Sequence, residues 1–169
     1  MDADTEQEFR EFVAARWGSL YRAALLLTGQ REAAEDLVQA ALVRTVNRWH
    51  RLDQPEAYLR KVMYFQQVSR WRLRSWGREH STAELPDRPD LSDMTAQSDA
   101  RISIVDALRL LGPLQRAVIV LRFYEDLPNG EIATTLGISN GAVRTNVHRG
   151  LAKLRRLCPE LALSQGETL

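Results

Sequence analysis

The stretch EIATTLGISNGAVRTNVHRGLAKLRRL, from Glu131 to Leu157, constrains the fold more than any other part of this chain. It has the pattern of two helices that cross at a tight turn. Ile132, Ala133 and Leu136, then Ile138, Val143 and Val147, place apolar side chains where the two would touch. Gly137 stands at the bend, where a left-handed backbone costs glycine little. Ser139 is a natural N-cap for the second helix. In that helix Val143, Val147, Leu151 and Leu154 recur on one face. The opposite face carries Gly141, Arg144, Thr145, His148 and Arg149. Small, hydrogen-bonding and cationic side chains at an exposed helix start suit direct readout in a DNA major groove. No acid lies between Glu131 and Glu160, whereas Arg144, Arg149, Lys153, Arg155 and Arg156 do. The plain alternative is a solvated basic helix capping a small bundle.

The balance of 23 basic against 22 acidic residues hides a segregation of charge. Ala57 to Arg78 holds no acid but contains Arg60, Lys61, Arg70, Arg72, Arg74 and Arg78. His80 to Asp99 is acidic, with Glu84, Asp87, Asp90, Asp93 and Asp99 against Arg88. Two basic surfaces on either side of an acidic tether suggest two contacts with one polyanion. Cys158 is the sole cysteine, so an internal disulfide or a CxxC site is excluded. His50, His80 and His148 lack metal-ligand spacing. Paired carboxylates, a nucleophile with its base and a phosphate-cradling loop are all missing, which argues against an enzyme and against a cofactor. The acidic start MDADTEQEFREF predicts no signal peptide. The longest apolar run, Ala23 to Leu27, is too short to insert in a membrane, so the expected location is cytoplasmic.

Strand signals are absent and the expected fold is all-α. A first helix, from about Glu6 to Thr28, turns Phe9, Phe12, Val13, Trp17, Leu20, Ala24 and Leu27 inward and stops at Gly29. A second, from Arg31 to His50, buries Ala34, Leu37, Val38, Ala41, Leu42, Val46 and Trp49. Pro55 suits the start of a third, with Tyr58, Leu59, Val62 and Met63 at core spacing. Beyond Phe65 that apolar pattern fails and SRWRLRSWGRE follows. Arginine stems snorkelling round one buried tryptophan would explain it. Rings stacking on unpaired bases while arginines hold phosphates would explain it too. Residues 80–99, with Pro86 and Pro89, are too polar for a core and form a linker. A helix from about Ala100 to Leu111, another from Pro113 to about Glu125 burying Leu114, Val118, Leu121 and Tyr124, and the helix pair above complete a four-helix unit. The architecture is thus two small helical domains, 6–79 and 100–160, joined by a flexible acidic linker, 80–99.

In this order the segments resemble an extracytoplasmic-function sigma factor of bacterial RNA polymerase. AAEDLVQAALVRTVNRW (Ala33 to Trp49) is similar to the family's polymerase-binding helix. PEAYLRKV (Pro55 to Val62) with the Trp/Arg stretch is similar to the helix that engages the minus-ten element. LGPLQRAVIVLRFYEDLPNGEIATTLGIS is similar to the start of the domain that reads the minus-thirty-five element. The resemblance implies docking on the clamp helices of the polymerase's largest subunit through Asp36 and Gln39, with Arg44 beside them, and a second contact at the flap region. It implies that Phe65, Gln66, Gln67, Arg70, Trp71, Arg72 and Arg74 meet the melted minus-ten strand. It implies that Ser139, Asn140, Gly141, Arg144, Thr145, His148 and Arg149 meet the minus-thirty-five major groove. Many family members are also held inactive by an anti-sigma protein wedged between the two domains, which makes one a further candidate partner.

Two positions depart from the family. Asn is usual where this chain has Phe65, followed by Gln66 and Gln67. Either Phe65 turns inward and fills the core, or it stacks on a base whose edge a glutamine reads. A cation is often found where Asn146 stands, which lowers the expected upstream affinity. Two other functions fit parts of the pattern: a helix-turn-helix regulator acting without polymerase, and a sigma-like decoy or adaptor that binds polymerase without initiating. The regulator leaves DLVQAAL unexplained.

Overall fold

The computed structural model describes residues 3–79 and 103–159, the side chains of 75–79 excepted. The expected linker, and Trp76 as a side chain, lie outside the described residues. Among those residues all regular structure is helical. Helix α1 spans Ala3–Thr28, α2 Arg31–Val46 and α3 Pro55–Glu79. Helices α4 (Ile104–Arg109), α5 (Pro113–Ile119), α6 (Asn129–Leu136) and α7 (Asn140–Leu157) form the C-terminal half.

Local chemistry sets most boundaries. Gly29, at φ 72°, ends α1 in the left-handed conformation that glycine takes readily, and its N–H donates to the Leu25 carbonyl at 2.8 Å. The second helix is shorter than its apolar pattern predicts. It ends at Val46, and Trp49–Arg51 forms a separate 3₁₀ turn that brings Trp49 edge-on to Phe9, with ring centroids 5.1 Å apart. Ser103 caps α4 by accepting from the Asp106 N–H at 3.2 Å. Pro113 opens α5 at a position where its missing N–H costs nothing.

The expected helix from Pro113 to Glu125 is α-helical only to Ile119. Over Val120–Tyr124 it widens into a π-turn, and the Glu125 N–H reaches back to the Val120 carbonyl at 3.1 Å. The extra residue rotates the end of the helix, so that Tyr124, expected inside, is exposed and Glu125 points toward α3. Trp17 was also expected inside and lies at the surface, beside Phe9 and Val13 on the rim of a shallow apolar groove.

In the N-terminal half, Leu20, Ala24 and Leu27 of α1 pack with Leu37, Val38 and Ala41 of α2 and Leu59 and Met63 of α3. In the C-terminal half, Val118 and Leu121 pack with Ile132, Leu136 and Val143. These two groups belong to one continuous apolar cluster. Helix α3 lies against both α5 and α6, and α1 against α4. Polar contacts reinforce the junction. Arg116 donates to the carbonyls of Leu108 (2.8 Å), Arg109 (3.2 Å) and Leu111 (3.2 Å) in its own half and of Leu27 (3.0 Å) in the other. Burial, with the charge of Arg109 added, pushes this guanidinium down to about 10.

Candidate nucleic-acid interface

Helix α7 is built as its sequence predicts. Gly137, at φ 64°, makes the bend after α6, and the Ile138 N–H donates to the Ala133 carbonyl at 3.0 Å. The Ser139 hydroxyl accepts from the Ala142 N–H at 3.0 Å and fixes the first turn, so its role is a cap. Val143 is buried, with Val147, Leu151 and Leu154 half-buried behind it. Asn140, Gly141, Arg144, Thr145, His148 and Arg149 are all exposed. Six polar or small positions thus share the outer face of a helix held rigidly by its inner one.

A cavity of about 270 Å³ opens beside this face, lined by Arg122, Asn129, Arg144, His148 and Arg155 together with Val147 and Leu151. Its lining holds three guanidiniums and no carboxylate, as a DNA backbone phosphate requires. Arg122 was not among the residues singled out from the sequence. It arrives from the π-turn, where its guanidinium donates to the Leu127 carbonyl at 3.2 Å. No local pattern marks it, whereas Arg155 belongs to the acid-free run. Asn146 turns its amide back onto its own helix, donating to the Ala142 carbonyl at 2.8 Å. The cation often found there is therefore replaced by an inward-bonded amide.

On α2 the inner face is Ala34, Leu37, Val38, Ala41 and Thr45. Asp36, Gln39 and Arg44 are exposed on the other side, next to the exposed apolar Val43. Spacings of three, four and seven residues put Asp36, Gln39 and Val43 on one stripe, and Arg44, eight residues from Asp36, flanks it.

Helix α3 removes one of the two alternatives at Phe65. The phenyl ring is 48% exposed, so it does not fill the core. Gln66, one of the two glutamines that could have read a base edge beside a stacked Phe65, is 5% exposed. Leu59, Met63 and Gln66 lie at i, i+4 and i+7, one row of the helix, and that row faces α1 and α2. The Gln66 amide nitrogen donates to the Ala40 carbonyl at 3.5 Å, and Oε1 has no partner. Gln67 and Trp71 are half-buried, and Arg70, Arg72 and Arg74 are exposed. Arg72 nevertheless has a partner, donating to the Leu136 carbonyl of α6 at 3.3 Å. Phe65, Gln66 and Arg70 border a cavity of about 250 Å³ whose opposite wall is Ala40 and Arg44 of α2.

Two family descriptions match the chain: Sigma-70 region 2 over residues 13–77, and Sigma-70 region 4 over residues 101–154. The RNA polymerase sigma-E factor of Streptomyces coelicolor is 40% identical over 151 residues, 88% of this chain and 84% of that protein. The ECF RNA polymerase sigma factor SigL of Mycobacterium tuberculosis is 31% identical over 156 residues, 86% of each. The chain belongs to the sigma-70 family, in its extracytoplasmic-function branch. Among solved structures, the sigma factor RpoE in its co-crystal structure with the anti-sigma factor NepR from Bartonella quintana has a TM-score of 0.62. It covers 89% of this chain and 96% of its own at 21% identity, a likeness of fold.

As a sigma factor the protein is a transcription initiation subunit that binds RNA polymerase. The three faces described above divide between the two matched regions. Those of α2 and α3 fall in region 2, and that of α7 in region 4. Among the described residues no helix is long and apolar enough to cross a membrane, and no group of His, Cys, Asp and Glu is placed to hold a metal ion.

Proposed function

We propose that this sigma factor docks on the clamp helices of core polymerase through Asp36, Gln39 and Arg44 and directs it to promoters read at two places. Phe65, Arg70, Trp71 and Arg74 of α3 meet the melted minus-ten strand, with Arg72 joining them once it leaves Leu136. Arg144, Thr145, His148 and Arg149 of α7 read the minus-thirty-five element. The domains doing so are 6–79 and 100–160, with 80–99 between them and a second polymerase contact at the flap region. The chemistry of initiation belongs to the polymerase, and this chain supplies binding alone, without a cofactor, in the cytoplasm. An anti-sigma protein is a further partner of the kind seen with a structural relative.

The observation that carries this reading is the coexistence, on one chain, of an exposed α2 stripe over a buried apolar face and an exposed, acid-free α7 face. A regulator acting alone has no need of the first, and a decoy no need of the second. In vitro transcription with purified core polymerase tests it. The chain should yield specific transcripts, and Asp36→Arg should abolish both these and co-purification with polymerase while helical content is unchanged. Transcripts that survive Asp36→Arg combined with Gln39→Ala would place the polymerase contact elsewhere.

A further inference from the structure

One buried polar group in the N-terminal half is left nearly unbonded by its own surroundings. Gln66 is buried, and its Oε1 accepts no hydrogen bond. Its Nε2 reaches the Ala40 carbonyl only at 3.5 Å, beyond the usual range of an N–H···O bond. Leu59 and Met63, in the same row of α3, are apolar and fully buried. A leucine at 66 would continue that row without stranding an acceptor, which is costly inside a protein. The amide therefore calls for a partner that the free chain does not supply.

The cavity of about 250 Å³ between α2 and α3 is where such a partner fits. Gln66 is the innermost residue of its lining; Ala40 and Ser69 beside it are half-buried. Arg44, Phe65, Arg70 and Leu73 are exposed and form the mouth. The terminal torsion of a glutamine is broad, so Oε1 can turn into the cavity for the loss of one marginal contact. Pockets for drug-sized ligands run to roughly 300–1,000 Å³, so this smaller one admits a single ring system. No carboxylate lines it. Among the described residues neither Arg44 nor Arg70 meets one elsewhere, which leaves positive charge at the mouth for phosphates. Neighbouring residues of a helix project about 100° apart. Phe65 can thus stack on the face of a ring whose edge meets Gln66.

We propose that this cavity takes one unpaired promoter base and that Gln66 selects, through Oε1, a base carrying an exocyclic amino group. The selection rests on the reading of α3 as the minus-ten face given above. The amino group donates to Oε1, the ring stacks on Phe65, and Arg70 holds a phosphate of the same strand. Adenine, cytosine and guanine each carry such a group, and thymine carries none. The one ring donor of thymine, its N3–H, lies between two carbonyls that would repel Oε1. Gln66 is thus a specificity-determining residue, and what it discriminates against is thymine.

The test uses the full chain with Streptomyces coelicolor core polymerase and promoter DNA whose minus-ten segment is randomised and unpaired. Selection should recover an amino-bearing base, and disfavour thymine, at the position that enters the cavity. Replacing that base by its analogue without the amino group (purine for adenine, pyrimidin-2-one for cytosine, hypoxanthine for guanine) should weaken binding about fivefold, the effect of one hydrogen bond. With Gln66→Leu the two strands should bind alike. The same variant should melt no lower than the parent, because the stranded oxygen is gone. If Gln66→Leu disturbs the helices by circular dichroism, Gln66→Met, with a more adaptable side chain, should erase the difference instead. A preferred strand that senses the amino group nowhere, or senses it equally in the variants, overturns the role of Gln66 alone. Weaker binding of Gln66→Leu to core polymerase without DNA puts a polymerase segment in the cavity and overturns the base. A holoenzyme that forms but recovers no preferred sequence overturns the minus-ten reading of α3, and the pocket with it.

Discussion

Helices α3 and α7 are both rich in arginine and both offered to DNA, yet they stand differently in the molecule. On α7 the apolar row is covered by α5 and α6, and the polar row faces outward with its side chains uncommitted to the other half. On α3 one row packs into the N-terminal core through Leu59, Met63 and Gln66. A second, through Arg60, Tyr64 and Arg72, is bonded to the C-terminal half. Outside these two rows, Phe65, Arg70 and Arg74 are exposed and left to meet a ligand. A helix with one neighbour has a functional face readable from its pattern. A helix with two neighbours divides its circumference, and part of what looks functional serves the fold.

Substitutions on the two helices should separate these roles. The largest effect is expected for Tyr64→Ala, which removes a buried ring shared by both halves and should cost about 3–5 kcal/mol in denaturant unfolding. Arg149→Ala on the open face should change stability by no more than about 0.5 kcal/mol. Equal losses at the two sites would erase the contrast.

Arg116→Met should come next, at about 2–3 kcal/mol, read as a fall in melting temperature. It removes the Arg116 bonds to four carbonyls, but Leu108 still accepts from the Leu111 N–H and a buried charge is lost, so the cost is less than four full hydrogen bonds. A melt unchanged from the parent would show that the Leu27 contact does not join the halves.

Within the upstream interface, Arg144→Ala and Arg149→Ala each should weaken promoter binding by ~1–3 kcal/mol and relax sequence preference if the side chain reads a base. Arg122→Ala should instead weaken all sequences alike and lower the salt slope by about one, as expected for a phosphate contact. Binding measured across a salt series on specific and scrambled DNA separates them. A change in base preference on losing Arg122 would place it at the groove floor rather than at the backbone.

Phe65→Asn should have the smallest effect on stability, within about 0.5 kcal/mol, because the ring is exposed. The same variant should shift the preferred minus-ten sequence in a promoter-library selection. A large fall in melting temperature without that shift would return Phe65 to the core and make α3 a purely structural helix.

The helix-turn-helix was legible almost residue by residue. Gly137 takes the left-handed bend, Ser139 caps, and Val143 is buried under six exposed positions. That α2 has an exposed polar face was legible in the same way, whereas Asp36, Gln39 and Arg44 were singled out on it by the family resemblance. Legibility ended where a residue's surroundings come from a distant segment. Phe65 is more apolar than Gln66, and propensity alone would bury the first and expose the second. The helical row through Leu59 and Met63 decides the reverse, at the cost of an unpaired Gln66 oxygen. Tyr124 looked like core until the π-turn rotated it outward, and Arg122 reached the cationic cavity by the same turn.

The sequence by itself determined that the chain is all-helical, that its C-terminal helix pair offers an acid-free face, and that its segments follow the sigma-factor order. Those properties depend on periodicity and on caps and turns a few residues long, and such signals are local. Only the tertiary structure decided which rows of α3 serve the fold and that the two halves close on each other. Arg60 meets Glu125 across 65 residues of chain, and the meeting depends on the one turn where the helix widens. Neither the distance nor the widening has a signature in the pattern of apolar residues, because each results from packing that the whole chain must complete.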